Sequence, residues 1–288
     1  MNRESFNEVE VGAGMNPLGQ IRIFASSAVF SFRAQFDWLY PPMWLTMKLV
    51  MSLSQMAFFV YVGRFLLTEG SAPLGVSDLV AYIAIGNAIQ SLSWNTVFSV
   101  VNITNSDKWG GTLPLLLATP APRLPLFIGR AMVHVFDGML SVAISFIFAV
   151  FLFGVNFSNA NLLALLVVVF LTAFTMSGFG LLIGGLAFYF REPMIFANIF
   201  TFILLIFCGV NFPITALPQP LQYVSYIFPL TYGIDAGRKT IVEGANLVQI
   251  APLLAQMLIV GFIAIMLGYT FFRTFENLAR KTGRIEAM

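Results

Sequence analysis

Charged residues and metal-binding side chains are scarce in this chain of 288 residues. Only 10% of its residues are charged, and it contains one histidine and one cysteine. A water-soluble domain usually keeps about a quarter of its residues charged, so this composition excludes an ordinary soluble protein. One histidine and one cysteine cannot form a typical zinc site, and a lone cysteine cannot form an internal disulfide. We therefore expect no metal site and no disulfide.

Motifs for nucleotide binding and hydrolysis are also missing. A P-loop requires the spacing G-x-x-x-x-G-K-[ST], and the nearest run, at 233–240, does not have it. Ser141, His134 and Asp137 could supply a Ser/His/Asp arrangement, but no nucleophile-elbow motif supports one. We expect that the chain is not an enzyme and binds no cofactor itself, with an intramembrane enzyme as a less supported alternative.

Long apolar runs dominate what is present. Hydrophobic residues make up 58% of the chain, 31 of them are phenylalanine, and the mean hydropathy is +0.86. A bilayer core of about 30 Å needs roughly 20 apolar helical residues to cross it. The sequence therefore predicts an all-α polytopic membrane protein with six transmembrane helices. They fall near 43–67, 79–103, 124–153, 160–190, 193–213 and 248–272.

Basic residues are distributed unevenly between the two sides of these spans. Cytoplasmic loops of membrane proteins accumulate lysine and arginine. With the N-terminus inside, twelve basic residues are assigned to the cytoplasmic side and three, Arg64, Arg238 and Lys239, to the outside. The sequence therefore predicts a multi-pass protein of the cell inner (plasma) membrane with both termini cytoplasmic. The twelve are Arg3, Arg22, Arg33, Lys48, Lys108, Arg123, Arg130, Arg191, Arg273, Arg280, Lys281 and Arg284.

The chain divides into four segments by composition. Residues 1–16 are a polar cytoplasmic tail, 41–273 form the transmembrane domain, and 274–288 form a second cytoplasmic tail. Between them, 17–40 carries apolar residues at helical spacing, which predicts an amphipathic helix in the cytoplasmic interface. Its apolar stripe is Ile21, Phe24, Ala28 and Phe32. Amphipathicity alone is equally consistent with a simple membrane-surface anchor.

Polar side chains inside the second and third spans are candidates for lining a transport pathway. In lipid such residues should face protein or water, so they either make interhelical hydrogen bonds or line a pathway. His134 and Asp137 lie three residues apart on neighbouring positions of one helix, and they either act in function or satisfy each other. The candidate pathway residues are Asn87, Ser91, Trp94, Asn95, Phe98, His134 and Asp137.

Glycine and proline mark two further features. The Gly180-x-x-x-Gly184 step in the fourth span favours close approach of another helix. Prolines interrupt the apolar stretch 211–247, and broken backbone at membrane depth needs cover from protein or a water-filled cavity. We predict a pair of short re-entrant helices over 213–243, split around Pro229, that form an outer lid. Its marker residues are Pro213, Pro218, Pro229 and Tyr232.

The loop between the second and third spans reads NSDKWGGTLPLLLATPAPRLPLFIGR, residues 105–130. It resembles the signature loop of the ABC-2 type permeases, the membrane subunits of type V ABC exporters. The shared order is a charged pair, Gly-Thr-Leu, a leucine run, Thr-Pro and a basic residue. A second resemblance lies in Pro213, Leu217-Pro218 and the run Pro229-Leu230-Thr231-Tyr232. With six predicted spans and an N-terminal interfacial helix, the resemblance covers nearly the whole chain.

The resemblance implies an interface with a separate ATP-hydrolysing subunit. By it, 105–119 forms a coupling helix that docks on that subunit, and 17–40 is a connecting helix at the same interface. Relatives commonly carry an acidic residue after Gly-Thr-Leu, whereas this chain has Pro114, so that charge contact is not carried over. The implied interface residues are Arg22, Arg33, Asp107, Lys108, Trp109, Gly111, Thr112, Leu113, Leu116 and Arg123.

These features together predict the permease subunit of an ABC exporter. Its partners would be two copies of an ABC ATPase subunit, which hold ATP and Mg, a second permease copy in a homodimer, and membrane lipid, with no nucleic acid. The aromatic content suggests an amphipathic substrate such as a lipid, drug or peptide, with a lipo-oligosaccharide or glycan as the alternative. A second alternative is an ion-coupled carrier or channel that uses His134 and Asp137.

Overall fold

A computed structural model describes residues 17–36, 41–68, 76–111, 123–186, 190 and 192–282. This part of the chain contains nine α-helices and no β-strand, which confirms the predicted all-α class. A single 3-10 turn, Ile214–Ala216, precedes the seventh helix. The helices are α1 Pro17–Phe36, α2 Pro41–Thr68, α3 Val76–Trp109, α4 Arg123–Phe151, α5 Leu162–Leu186, α6 Pro193–Phe207, α7 Gln219–Ser225, α8 Pro229–Val242 and α9 Leu247–Thr282.

Each of the six predicted spans corresponds to a helix, namely α2 to α6 and α9. Four of these helices are both long and apolar enough to cross a membrane. They confirm a helical, multi-pass membrane protein, while the count of six spans remains a prediction. The four stretches are Pro42–Phe65, Met132–Phe151, Leu162–Leu186 and Leu247–Phe275.

Helix α3 is more polar than the other long helices because protein surrounds it. Every residue from 83 to 93 is buried, including the polar Asn87, Gln90 and Ser93. The helix packs against α2, α4, α5, α6 and α8. The polar side chains between residues 83 and 93 therefore face neighbouring helices rather than lipid, which removes the cost that lipid would impose on them.

Helix α6 is shorter than the span predicted over 193–213. It ends at Phe207, and its 15 residues extend about 22 Å at the usual helical rise. Gly209 adopts a φ of +69°, a left-handed conformation that glycine tolerates and other residues rarely adopt, so the helix cannot continue. The chain turns over residues 208–213 and leads into the proline-rich segment.

Glycines bring α5 close to two neighbouring helices. Gly180 and Gly184 pack against α3 at Thr96 and Val100, which confirms the packing interpretation of the Gly180-x-x-x-Gly184 step. On a second face, Gly178 approaches the backbone of α9 at Ala264 and Ile265, and Gly185 approaches Phe272. Small residues at such contacts let helix backbones come close, which is how helices associate without a hydrophobic driving force in lipid.

Helix α1 packs against α4 through small residues. Ser27 and Ser31 are buried, and Gly129 of α4 lies against Ser27 and the Phe24 carbonyl. The apolar stripe predicted for this helix is only partly in contact with protein, since Ile21 and Phe32 are exposed. The helix therefore presents a small-residue face to the bundle and leaves apolar side chains outward.

Candidate functional site

A buried ion pair connects two of the apolar helices. Lys48 of α2 and Asp137 of α4 place the Nζ and Oδ2 atoms 2.8 Å apart, and their side chains are only 10% and 7% exposed. Both residues lie inside the stretches that are apolar enough to cross a membrane. Charges in that environment are costly, and a residue that carries one is a functional candidate by default.

Three further oxygen atoms surround the Lys48 ammonium. It donates hydrogen bonds to Ser141 Oγ at 2.7 Å, to the Asp137 carbonyl at 3.1 Å and to Asn95 Oδ1 at 3.4 Å. Lys48, Asn95, Asp137 and Ser141 are called the ion-pair cluster below. The cluster joins α2, α3 and α4, so one lysine side chain links three helices.

Sequence reasoning selects Asn95 and Asp137 as pathway candidates and considers Ser141 only as a nucleophile beside His134 and Asp137, and it does not select Lys48. The distribution of basic residues assigns Lys48 to the cytoplasmic side, although its position lies inside the first predicted span. That mismatch between a lysine and an apolar run was the available signal. Ser141 lies four residues after Asp137, so helical spacing already placed both side chains on one face.

The other candidate pathway residues divide between buried and partly exposed positions. His134 is buried one helical turn before Asp137, and Ser91 is buried and donates to the Ala88 carbonyl. Trp94 stacks on Phe98 with ring centroids 4.4 Å apart and is 41% exposed. Within the predicted set, the structure therefore places Trp94 at the surface, one residue before Asn95 of the ion-pair cluster.

Asn87 contacts the turn that follows α6 rather than the ion-pair cluster. Its amide nitrogen donates to Asn211 Oδ1 at 2.8 Å and to the Ile83 carbonyl at 2.9 Å. The turn crosses α3 at Gly86, where an added Cβ would overlap the Val210 carbonyl. Asn87 and Gly86 thus fix the position of the 208–213 turn on α3.

Arg238 of α8 holds the same turn from the other side. One of its terminal nitrogens lies 2.8 Å from the Gly209 carbonyl, 3.0 Å from the Val210 carbonyl and 3.1 Å from the Tyr82 carbonyl. Its guanidinium also stacks on the Tyr82 ring, 3.3 Å from the ring centroid. We call Arg238, Tyr82 and the two turn carbonyls the arginine clamp.

The arginine clamp solves a problem created by the short α6. The carbonyls of Gly209 and Val210 lie in the turn beyond the end of α6, where no helix supplies their hydrogen bonds, and such groups need a donor wherever water is excluded. Burial lowers the pKa of Arg238 to about 10, which still leaves the guanidinium charged at neutral pH. Asp235, one turn away at 3.9 Å, has a pKa raised by its own burial.

Replacing Arg238 by methionine should lower the free energy of unfolding by about 2 kcal/mol, because it leaves buried carbonyls without their charged donor. Thermal unfolding of the purified chain in detergent measures the change. Arg64→Met is the matched control, since Arg64 is exposed, and it should be close to neutral. Equal effects of the two substitutions would contradict the role assigned to the clamp.

The predicted outer lid contains two helices, α7 and α8, which meet just before Pro229. Pro213 precedes the 3-10 turn, Pro218 precedes α7, and Pro229 is the buried first residue of α8. Tyr232 donates its hydroxyl to the Tyr226 carbonyl at 3.0 Å, across the break between the helices. Helix α8 is largely buried, whereas α7 is largely exposed.

The predicted ATPase-subunit interface is only partly described. Arg22 and Arg33 are exposed on α1, and Asp107, Lys108 and Trp109 form the last turn of α3. Gly111 follows in a turn with a φ of +68°. Arg123 is the first residue of α4. The remaining three predicted residues, Thr112, Leu113 and Leu116, lie outside the described residues.

Apolar helices, a buried interhelical ion pair and a broken segment before the last helix define a polytopic helical membrane protein. The family model for the ABC-2 type transporter matches residues 27–242. The chain therefore belongs to the ABC-2 type transporter family, as the resemblance in the 105–130 loop predicted. No curated protein matches the chain in sequence. Family membership makes the chain the permease component of an ABC transporter, which implies an ABC ATPase subunit as its partner.

Proposed function

We propose that this chain is the permease of an ABC exporter that moves an amphipathic substrate outward across the plasma membrane. The family match is the observation that carries the proposal. The substrate would be a lipid, drug or peptide, with a lipo-oligosaccharide or glycan as the alternative. Six spans, with both termini in the cytoplasm, would bring the 105–123 loop to the same side as ATP.

The length of α3 supports this orientation. Its 34 residues extend about 51 Å at the helical rise, which is longer than the roughly 30 Å bilayer core. The excess at the Trp109 end carries Asp107 and Lys108, and basic residues favour the cytoplasmic side. We infer that this end of α3 projects from the membrane and carries the predicted coupling segment to the ATPase subunit.

The proposed assembly has two permease copies and two ATPase subunits. Within the described residues, only 11% of the most apolar stretch of α2, and 22% of the most apolar stretch of α9, is buried inside this chain. These faces leave room for a second copy and for lipid. ATP binding would bring the ATPase subunits together, and the coupling segments would bias the permease between two conformations.

The decisive experiment is reconstitution. We expect the chain to co-purify with an ABC ATPase subunit, and we expect the purified complex in liposomes to move an amphipathic substrate only when ATP is supplied. A chain that binds no ATPase subunit, or a complex that moves nothing with ATP, would contradict the proposal.

The ion-coupled alternative receives some support from the buried Lys48–Asp137 pair. It requires flux that depends on pH and not on ATP. Liposomes that contain this chain alone test it, and we expect them to show no such flux.

Gly111→Val should weaken the coupling of ATP hydrolysis to transport without unfolding the chain. Valine at a φ of +68° carries a backbone penalty of about 1–2 kcal/mol, so the turn after α3 must change its shape. The ratio of substrate moved to ATP hydrolysed by the reconstituted complex measures the effect.

Gly154 provides a matched control for this prediction. Its φ is +69°, and, as at Gly111, no atom of the residues that the structure describes lies within 4 Å of the position that a Cβ would occupy. Gly154→Val therefore introduces the same backbone strain in the loop between α4 and α5, on the side predicted to face outward. Equal loss of coupling in both variants would show that strain alone, rather than contact with the ATPase subunit, causes the effect.

A further inference from the structure

Lys48 makes polar contacts that attach the half of α2 beginning at Pro41 to the bundle. Of the apolar side chains described between residues 42 and 55 none is fully buried, although Leu53 packs against the core, whereas Met56 and Val60 in the other half are fully buried. Gly63 also packs closely on Ile83 of α3. Buried apolar packing therefore fixes one half of α2, while the other half is held by the polar contacts of Lys48 and by partial packing at Leu53.

The Lys48 ammonium and the Asp137 carboxylate can each take a hydrogen-bond partner from a ligand. The Lys48 ammonium has three hydrogens but four oxygen atoms within 3.4 Å, so it can exchange one partner and keep the others. Asp137 Oδ1 is buried and, among the residues that the structure describes, has no hydrogen-bond donor. A carboxylate oxygen in that state is a ready acceptor for a donor group from outside the chain.

Charge balance selects the kind of ligand. A simple anion would displace Asp137 from Lys48 and leave a buried carboxylate without a positive partner. A simple cation would add an uncompensated positive charge to a site that is already neutral. A zwitterion avoids both costs, because its anionic group can pair with Lys48 while its cationic group donates to Asp137 Oδ1.

Exposed apolar residues adjacent in sequence to the cluster offer surface for the rest of an amphipathic molecule. Trp94, Phe136 and Leu140 are each adjacent in sequence to a cluster residue on α3 or α4, and they are 41%, 60% and 41% exposed. Met47 and Met51 flank Lys48 on α2 and are 52% and 72% exposed. Methionine side chains are flexible and fit irregular apolar surfaces, which suits a hydrocarbon chain.

We propose that the ion-pair cluster binds the zwitterionic headgroup of the transported amphipathic substrate, between the loosely attached half of α2 and helices α3 and α4. This inference rests on the proposed function, because it names the substrate class of that permease. Entry of the headgroup replaces the direct Lys48–Asp137 contact and releases this half of α2 from the bundle.

Binding to the full chain in nanodiscs tests the site without ATP. The probes are three single-chain amphiphiles of matched chain length: zwitterionic lysophosphatidylethanolamine, anionic lysophosphatidylglycerol and a neutral alkyl glucoside. Tryptophan fluorescence gives the readout, since the Trp44 ring centroid lies 5.2 Å from the Lys48 ammonium. We expect the zwitterionic probe to bind about tenfold more tightly than the other two, the effect of one lost charged hydrogen bond.

Variants identify the residues responsible. Lys48→Met with Asp137→Leu removes both charges and should weaken the zwitterionic probe by about tenfold or more. Ser141→Ala keeps both charges and removes one hydrogen bond, so it gives a smaller loss and decides the question if the double variant fails to fold. Arg64→Met, at an exposed position of the same helix, should leave binding unchanged.

Three results would overturn the inference. The first is equal binding of the three probes. The second is unchanged binding in the folded double variant, or in Ser141→Ala if the double variant does not fold. The third is binding of the probe without its ATP-dependent transport by the complex. The last result would assign the site to a resident lipid rather than a substrate. Failure to bind an ATPase subunit would contradict the proposed function instead, and the binding measurements would still stand.

Discussion

Lys48→Met alone should destabilise the protein more than removal of both members of the ion pair. The single substitution leaves the Asp137 carboxylate buried without its positive partner, which costs about 3–5 kcal/mol in buried sites. Lys48→Met with Asp137→Leu replaces the pair by apolar side chains, and such replacements are often neutral or stabilising. Unfolding in detergent, followed by a probe of tertiary structure, should therefore rank the double variant above the single one.

A double-mutant cycle makes this prediction quantitative. Asp137→Leu alone leaves the Lys48 ammonium with three neutral acceptors, namely Asn95, Ser141 and the main-chain carbonyl of residue 137, so its cost should be smaller than that of Lys48→Met. Additive effects of the two single substitutions would show that the charges do not interact, and would remove the basis for the ion-pair cluster. Arg64→Met, at an exposed position, controls for the loss of a positive charge.

Gly268→Leu should abolish folding or lower the free energy of unfolding by at least about 3 kcal/mol, because a side chain there has no room. An added Cβ would overlap the Gly178 carbonyl of α5 and lie 3.2 Å from the Leu182 amide nitrogen. Both obstacles are backbone atoms of a packed helix, so neither can move aside as a side-chain end could. The helices α5 and α9 would have to separate.

The position Ala255 on the same helix provides the control. Ala255 is exposed, so Ala255→Leu adds similar apolar volume to α9 without touching α5. It should leave the yield of folded protein unchanged, as measured by size-exclusion chromatography and thermal unfolding. Leucine has a better helix propensity than glycine by about 1 kcal/mol, so a loss at Gly268 must come from packing. Equal behaviour of the two variants would contradict the close α5–α9 contact.

The sequence by itself determined the class of environment and the approximate position of each long helix. The length of an apolar run and the placement of lysine and arginine are properties of local sequence. The free energy of transferring a segment into lipid depends mostly on that segment's own residues. The Gly180-x-x-x-Gly184 step likewise predicted a close helix contact, because small residues four apart lie on one face. The 105–123 motif indicated the family before any tertiary contact was known.

Helix boundaries at broken segments depended on contacts that local patterns do not contain. The apolar run from 193 continues past Phe207, yet the helix ends there and the chain turns at Gly209. That turn is held by Arg238 and Asn87, which come from two other helices. A hydropathy pattern cannot identify such an ending, because the stabilising groups lie far away in sequence.

The tertiary structure alone decided which polar residues meet. Lys48 reaches Asn95, Asp137 and Ser141 across 47, 89 and 93 positions of the chain, and Arg238 reaches Tyr82 across 156. Helical periodicity places each residue on a face of its own helix but carries no information on which helix lies opposite. In lipid, which helix lies opposite is decided by close packing at glycines and by pairing of the few buried charges. Lys48, which the sequence assigns to the cytoplasmic side, therefore lies in a buried ion pair between α2 and α4.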